Sequence, residues 1–254
     1  MKFSANLGFL WAELPLPEAI RAARAAGFDA VECHWPFDEA PSAVNAALAE
    51  TGLQMLGLNT RPGNVAKGEN GLAALPERRA EARAAIDEAI AYAAEIGASN
   101  VHVMAGFASG KMAEETFLGN LAYATETAAG RNLNVLIEPL NRYDAPGYFL
   151  TTTTQAADII RKVAAPNLRL MFDCYHVHLM EGDLTHRLAT LLPLIGHIQF
   201  AAVPDRGPPD HGEVDYRHIF AAIANLGYSA PVGAEYKPRG NTDSTLGWLD
   251  WARG

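Results

Sequence analysis

Two kinds of hydrophobic pattern alternate along the chain. The longer kind is rich in alanine, and its apolar residues recur every three or four positions, which predicts amphipathic helices. Pro76 opens one such segment, and Gly27, Gly97 and Gly227 close three of them, as is typical of helix ends. The predicted helices lie within residues 16–27, 76–97, 151–166 and 215–227, the third with threonines as candidate N-caps.

Eight short apolar runs lie between the helical segments and predict β-strands. They are residues 2–8, 30–34, 54–59, 100–106, 134–139, 168–173, 196–201 and 231–236. Strands that alternate with helices form a parallel sheet, and eight such units in 254 residues predict one (β/α)8 TIM barrel over residues 1–254. A doubly wound open sheet is the competing fold, but no G-x-G-x-x-G sequence follows the first strand.

The predicted strands carry polar residues near their ends, although a buried polar group is costly unless it is paired. In a barrel, alternate strand residues face the helices, and those positions, for example Leu56 and Leu58, are apolar or small. The opposite parity faces the interior and comprises Asn6, Glu32, His34, Asn59, His102, Glu138, Asp173, Gln199 and Glu235. Hydrogen-bonded core residues would explain any one of these, but the whole ring predicts an active site at the C-terminal mouth of the barrel.

Charge and cysteine content narrow the classes of function. The net charge is −9 with no basic run, which argues against nucleic acid or an anionic membrane surface as a partner. Cys33 and Cys174 do not form a CxxC pair, so we expect neither a disulfide framework nor a thiolate zinc site. The first residues lack the features of a signal peptide, and no apolar stretch approaches the roughly 18 residues of a membrane span. We therefore expect a cytoplasmic protein.

Three carboxylates directed at one point require a cation at neutral pH. Glu138, Asp173 and Glu235, together with the side-chain carbonyl of Gln199, offer an all-oxygen ligand set that suits Mg²⁺ or Mn²⁺. A metal on a carbonyl and its neighbouring hydroxyl acidifies the C–H between them. One glutamate on each side of the substrate could then remove a proton and return it to the next carbon, so Glu138 and Glu235 are the predicted acid and base. This chemistry is an aldose–ketose isomerisation through an enediolate.

The sequence resembles the hydroxypyruvate isomerase family, within the xylose isomerase-like barrels, over essentially its whole length. The stretches that carry the resemblance include FSANL, VHVMAG, IEPLNRYDAPGYFL, FDCYH, EGDL, GHIQFAAVPDRG and GAEYKP. The resemblance implies the same metal ligands, Glu138, Asp173, Gln199 and Glu235, with Glu138 and Glu235 as acid and base. It also implies interconversion of hydroxypyruvate and tartronate semialdehyde, or isomerisation of a 2-oxo-tetronate that is one carbon longer. Asn70 stands where the family pattern has an arginine, which leaves the exact substrate open.

Further residues are candidates for substrate binding. His176 follows Asp173 by three residues and could hydrogen-bond a substrate hydroxyl, whereas His102 and Glu32 could orient the substrate from inside the barrel. A keto acid also brings a carboxylate into an anionic site. Among the cations in loops after strands, Arg206 and Lys67 are the predicted receptors, because both lie in glycine-rich loops that could fold over the substrate.

Other functions on the same barrel lead to different expectations. A ketose 3-epimerase would share the site, although such enzymes tend to have histidine at the position of Gln199. A phosphodiesterase of the endonuclease IV type would need a histidine-rich zinc site and a basic surface, and a non-catalytic binding protein would not need the acid–base pair. The expected partner is therefore a small keto acid or sugar, and self-association into a homo-oligomer stays open.

Overall fold

The computed structural model describes residues 1–253, in which nine parallel strands form one sheet. The strands are β1 (Phe3–Asn6), β2 (Ala30–Glu32), β3 (Gln54–Met55), β4 (Gly57–Asn59), β5 (Asn100–His102), β6 (Asn134–Ile137), β7 (Leu168–Asp173), β8 (Ile195–Phe200) and β9 (Val232–Ala234). Neighbouring strands follow the order β3-β2-β1-β9-β8-β7-β6-β5-β4, so the two ends of the sheet are consecutive in the chain.

The third predicted strand, residues 54–59, is divided into β3 and β4, which pair with different neighbours. β3 pairs with β2, and β4 pairs with β5. The backbone N–H of Leu56 donates to the carbonyl of Val31, and that of Cys33 donates to Gly57, so this segment closes the ring of strands. Met55 and Leu58 belong to the hydrophobic core cluster and Leu56 does not, so the alternation predicted for Leu56 and Leu58 breaks at Leu56. The eight-stranded barrel prediction is otherwise confirmed.

Helices connect successive strands. They are α1 (Leu16–Ala25), α2 (Pro41–Thr51), α3 (Arg79–Glu95), α4 (Lys111–Ala129), α5 (Thr153–Val163), α6 (Cys174–Met180), α7 (Leu184–Leu191), α8 (Tyr216–Asn225) and α9 (Trp248–Arg253). The predicted N-cap of α5 is confirmed, because the Thr152 side chain accepts a hydrogen bond from the backbone N–H of Gln155. Within residues 1–253, none of the helices has the length and hydrophobicity that crossing a bilayer requires.

The strand register brings the polar residues at the strand ends to one level. Asn6 is the register partner of Glu32, Asn59 that of His102, and Asp173 that of Gln199. Register partners on parallel strands direct their side chains to the same face of the sheet. Because the opposite faces of the strands pack against the helices with residues such as Phe3, Val135 and Phe172, the polar set lies on the inside of the barrel.

Candidate active site

The C-terminal ends of the strands bring four titratable side chains together. Glu138 follows β6, Asp173 ends β7, His176 lies in the first turn of α6 and Glu235 follows β9. Each residue offers one ligand atom, and these four atoms all lie within 4.8 Å of one another. All four side chains are buried. We call these four residues the carboxylate cluster; three of them are predicted metal ligands, and His176 is a predicted substrate-binding residue.

The end of β7 positions two members of the carboxylate cluster at once. Asp173 is the N-cap of α6, and its Oδ1 accepts a hydrogen bond from the backbone N–H of Tyr175 at 2.9 Å. The helix that starts there carries His176 back over the strand end, so its Nε2 lies 3.6 Å from Oδ2 of Asp173. One carboxylate oxygen therefore holds the helix, and the other faces the cluster.

Glu235 is held as an anion by three neighbours. Its Oε1 accepts hydrogen bonds from Asn6 Nδ2 at 2.8 Å and from His34 Nε2 at 3.3 Å. Its Oε2 accepts one from Arg206 Nη2 at 2.6 Å. Burial by itself would raise the pKa of Glu235, but the Arg206 guanidinium and then His34 lower this pKa to about 2. Glu235 is therefore ionised and fixed in orientation.

Glu138 is in a different electrostatic environment. Burial, followed by the charges of Glu235 and Asp173, raises the pKa of Glu138 well above that of an ordinary glutamate. Its Oε2 is 3.7 Å from His102 Nδ1, and its Oε1 is 3.9 Å from His176 Nε2, both too long for good hydrogen bonds. Burial and Glu235 also raise the pKa of Asp173. Without a bound cation, the cluster therefore disfavours full ionisation.

His176 is positioned to donate a hydrogen bond into the cavity. Burial, and next Arg206, lower its pKa to about 3, so the imidazole is neutral at neutral pH. The backbone N–H of Asn141 donates to Nδ1 at 3.0 Å, and the Asn141 side-chain nitrogen also lies 2.7 Å from Nδ1. Because a neutral imidazole carries one proton, its Nε2 then bears the N–H. An Nε2–H cannot ligate a metal, but it can donate to a substrate oxygen.

Three acceptor atoms in the barrel are buried without hydrogen-bond partners among the described residues. They are Oε1 of Glu138, Oδ2 of Asp173 and Oε1 of Gln199. Buried polar atoms are rarely left unpaired, and oxygens of this kind are the ligands that Mg²⁺ and Mn²⁺ prefer. Together with Glu235, these residues fit a divalent cation. The fourth ligand would be the Gln199 oxygen, because the His176 nitrogen that faces the cluster carries a proton.

Three members of the carboxylate cluster, Glu138, His176 and Glu235, line a cavity of about 300 Å³. Its lining also includes Phe9, His34, Trp35, Asn59, Asn70, His102, Asp144, Arg206 and Lys237. The Arg206 guanidinium lies over the rings of Phe9, at 4.9 Å from the centroid, and Tyr175, at 5.1 Å. It also approaches Asp173 at 3.8 Å and Asp144 at 3.7 Å, so its charge is shared among several carboxylates. His102 lines the same cavity, and burial lowers its pKa to about 4.

Two predicted substrate-binding residues lie elsewhere. Lys67 is in a short 3₁₀ turn (Val65–Lys67) and lines, with Arg61, a separate groove of about 970 Å³ beside α3. Glu32 lies deeper in the barrel than the cavity, with its Oε2 2.5 Å from His197 Nε2. The structure therefore places His176, Arg206 and His102 around the cavity but does not bring Lys67 or Glu32 to its lining.

Several site residues were not among the predictions. His197 lies two residues before Gln199 in β8. Alternate strand residues face the same side, so the inward position of Gln199 could have identified His197 as well. Asn141, which fixes the tautomer of His176, and Asp144, which accepts a hydrogen bond from Tyr175 at 2.9 Å, lie in the loop after β6. Loop conformation leaves no periodic signal in the sequence, so strand parity could not identify these two.

Comparison with known proteins shows which family this fold belongs to. Residues 20–251 match the family model of the xylose isomerase-like TIM barrel. The chain is 43% identical to the 2-oxo-tetronate isomerase of Cupriavidus necator, covering 98% of this chain and 97% of that protein. It is 36% identical to the hydroxypyruvate isomerase of Escherichia coli, covering 98% of each. A crystal structure of AP endonuclease, family 2, from Brucella melitensis superposes with a TM-score of 0.94 at 38% identity, covering 98% of both chains.

The chain therefore belongs to the xylose isomerase-like TIM barrel family. Within that family its full-length similarity is to hydroxypyruvate and 2-oxo-tetronate isomerases, and it is an enzyme of the isomerase class. The sequence prediction of fold and family is confirmed.

Proposed function

We propose that this enzyme is a metal-dependent isomerase that interconverts hydroxypyruvate and tartronate semialdehyde. The observation that carries the proposal is the position of Glu138 and Glu235, two buried glutamates that line one cavity and whose ligand atoms lie within 4.8 Å of those of Asp173 and His176. The names of relatives that match over nearly the full chain support the choice of substrate. The two free, buried cysteines support a reducing, cytoplasmic location.

Glu138, Asp173, Gln199 and Glu235 would hold Mg²⁺ or Mn²⁺. When bound, the metal would act as a Lewis acid that polarises the substrate carbonyl and makes the adjacent C–H more acidic.

The proposed proton route uses the two glutamates in turn. Starting from hydroxypyruvate, one glutamate removes a proton from C3, and the electron pair forms an enediolate across C2 and C3. The other glutamate delivers a proton to C2, and the hydroxyl proton moves from O3 to O2, which gives tartronate semialdehyde. His176 donates its Nε2–H to the oxygen on which charge develops, and His102 lies on the same wall of the cavity.

The substrate carboxylate needs a cation in the cavity. Arg206 is the proposed receptor, because it lines the cavity and its Nε is buried without a partner in the described part of the chain. Lys237 lines the same cavity from the loop after β9 and is the second cation within reach. Lys67 could contribute only if its loop moved toward the cavity.

A substrate screen tests the proposal. The Mn²⁺-loaded enzyme should be assayed with hydroxypyruvate, a four-carbon 2-oxo-tetronate and ketohexoses, and hydroxypyruvate should give the highest kcat/KM. A preference for the four-carbon acid would favour the activity named for the Cupriavidus necator relative. A preference for ketohexoses would contradict the assignment and favour a 3-epimerase.

The proton route has its own test. In D₂O, an enediolate lets the moving hydrogen exchange with solvent, so the product should carry deuterium on the newly protonated carbon. Complete retention of the substrate hydrogen in both directions, at early conversion, would instead indicate a hydride shift and remove the acid–base roles of Glu138 and Glu235.

A further inference from the structure

A layer of polar residues beneath the carboxylate cluster has no part in the proton route above. It consists of Glu32 at the end of β2 and His197 and Gln199 on β8, all of them buried. Glu32 Oε2 lies 2.5 Å from His197 Nε2, and Glu32 Oε1 accepts a hydrogen bond from Gln199 Nε2 at 3.3 Å. The hydrogen bond from Gln199 and the close contact with the His197 ring nitrogen together restrain this buried carboxylate.

The contact with Glu32 decides which end of the Gln199 amide is free. The Gln199 NH₂ group donates to Glu32 Oε1, so the NH₂ end of the amide faces Glu32 and the oxygen end does not. Gln199 Oε1 is consequently directed away from Glu32 and has no partner among residues 1–253. On the neighbouring strand, Asp173 is the register partner of Gln199, so this oxygen belongs to the same level of the barrel as the carboxylate cluster.

We propose that Glu32 is a positioning residue that orients the Gln199 amide as a metal ligand, with His197 holding Glu32 in place. This inference rests on the proposed function in that it takes Gln199 as a ligand. If the amide were reversed, its NH₂ group would face the cation and oppose binding. Glu32 and His197 therefore set the metal affinity without touching metal or substrate, as partners of metal ligands commonly do.

The backbone of β9 packs tightly against this layer. A Cβ atom at Gly233 would lie 2.3 Å from Glu32 Oε1 and 2.9 Å from both Gln199 Cγ and His197 Nε2. The strand can pass there only because residue 233 has no side chain. Gly233→Ala is therefore a way to displace the three side chains without changing any of their chemical groups.

A double-mutant cycle on Mn²⁺ affinity tests the inference. Metal-stripped wild type, Glu32→Gln, Gln199→Ala and the double variant should be titrated with Mn²⁺ by calorimetry. Each single substitution should weaken binding by roughly ten- to a hundredfold, the range seen when partners of metal ligands are removed. In the Gln199→Ala background, Glu32→Gln should cause no further loss, because its effect passes through the amide.

If Glu32→Gln weakens Mn²⁺ binding equally in the wild-type and Gln199→Ala backgrounds, its effect is a general structural one that does not depend on Gln199, and the inference is overturned. The inference is also overturned if Glu32→Gln leaves Mn²⁺ affinity unchanged. Unchanged Mn²⁺ affinity in Gln199→Ala would overturn it as well, while leaving the isomerase reaction to the substrate screen. Circular dichroism should confirm that each variant folds. If Glu32→Gln does not fold, Gly233→Ala takes its place in the same cycle, with the same expected coupling to Gln199→Ala.

Discussion

The groove beside α3 and the cavity beside the carboxylate cluster both carry charged side chains, and they differ in how those charges are compensated. The groove beside α3 is the larger, at about 970 Å³, against about 300 Å³ for the cavity above the carboxylate cluster. In the groove, Arg61 pairs with Glu88 at 2.7 Å, and Arg78 bonds two glutamates at 2.8 and 2.6 Å. Solvent reaches these pairs, in which each charge already has its partner.

The cavity shows the opposite arrangement. Glu138, which lines it, has a carboxylate oxygen that is buried without a partner in the part of the chain that the structure covers, and the neighbouring Asp173 has another. Burying such groups costs free energy that the fold does not recover by itself, whereas exposed ion pairs cost and contribute little. The difference indicates that uncompensated buried charge, rather than cavity volume, marks the candidate reactive site of this barrel.

Metal removal should give the largest effect and tests the comparison directly. Exhaustive treatment with EDTA should abolish turnover, because the cavity needs a cation where the groove does not. Adding Mn²⁺ or Mg²⁺ should restore turnover and raise the melting temperature, since a ligand bound only to the folded state stabilises it. Full activity in a sample shown to be free of metal would contradict the proposed site.

Replacing either glutamate of the acid–base pair should come next. Glu138→Gln and Glu235→Gln each keep a ligand oxygen but lose the base, so kcat should fall by about 100-fold or more. Asp173→Asn is the matched comparison. It should mainly weaken metal binding, and excess Mn²⁺ should partly restore its activity, because Asp173 has no proposed proton role. If excess Mn²⁺ restored the activity of Glu138→Gln or Glu235→Gln as far as that of Asp173→Asn, the proposed proton-transfer role of the two glutamates would be contradicted.

Arg206 and Lys67 sharpen the comparison, since one lines the cavity and the other the groove. Arg206→Ala should raise KM for the keto acid by roughly ten- to a hundredfold, as expected for a lost charge-assisted hydrogen bond. The effect on a neutral triose should be smaller. Lys67→Ala should leave both KM values unchanged, and a larger effect at Lys67 than at Arg206 would mean that the loop of residues 61–71 closes over the substrate.

The smallest effect is expected in the groove itself. Glu88→Gln removes the partner of Arg61 in an exposed pair, so the free energy of unfolding should fall by only about 0.2–1 kcal/mol. The kinetic constants should not change. Chemical denaturation checks the first expectation and steady-state kinetics the second, and a loss of turnover would show that the groove is coupled to the cavity.

The strand parity in the sequence was sufficient to predict much of this site. Glu138, Asp173, Gln199 and Glu235 follow from the inward alternation of four strands, because a strand has only two faces and the apolar residues occupy the outer one. The same rule predicted the position of His102. It was wrong at Leu56, where β3 and β4 pair with different neighbours and the alternation is interrupted.

The remaining features depend on loops and on long-range contacts, which periodicity does not encode. Arg206 reaches the cavity from a left-handed backbone conformation, with φ of 55°, between two aromatic rings from other parts of the chain. The tautomer of His176 depends on Asn141, thirty-five residues earlier in the chain. Lys67 and Arg206 looked equivalent in the sequence, and only their three-dimensional positions separate them.

The shared position of Asp173 connects the reaction site to the local unfolding of one helix. Because Oδ1 caps α6 and Oδ2 faces the carboxylate cluster, opening the first turn of α6 would displace Asp173 and His176 together. A cation held by Asp173 then has to be released before the turn can open, so occupancy lowers the population of the open form. Amide hydrogens of α6, including that of Tyr175, should exchange with solvent deuterium more slowly as Mn²⁺ saturates the enzyme. Their protection would report on the metal without any substrate present.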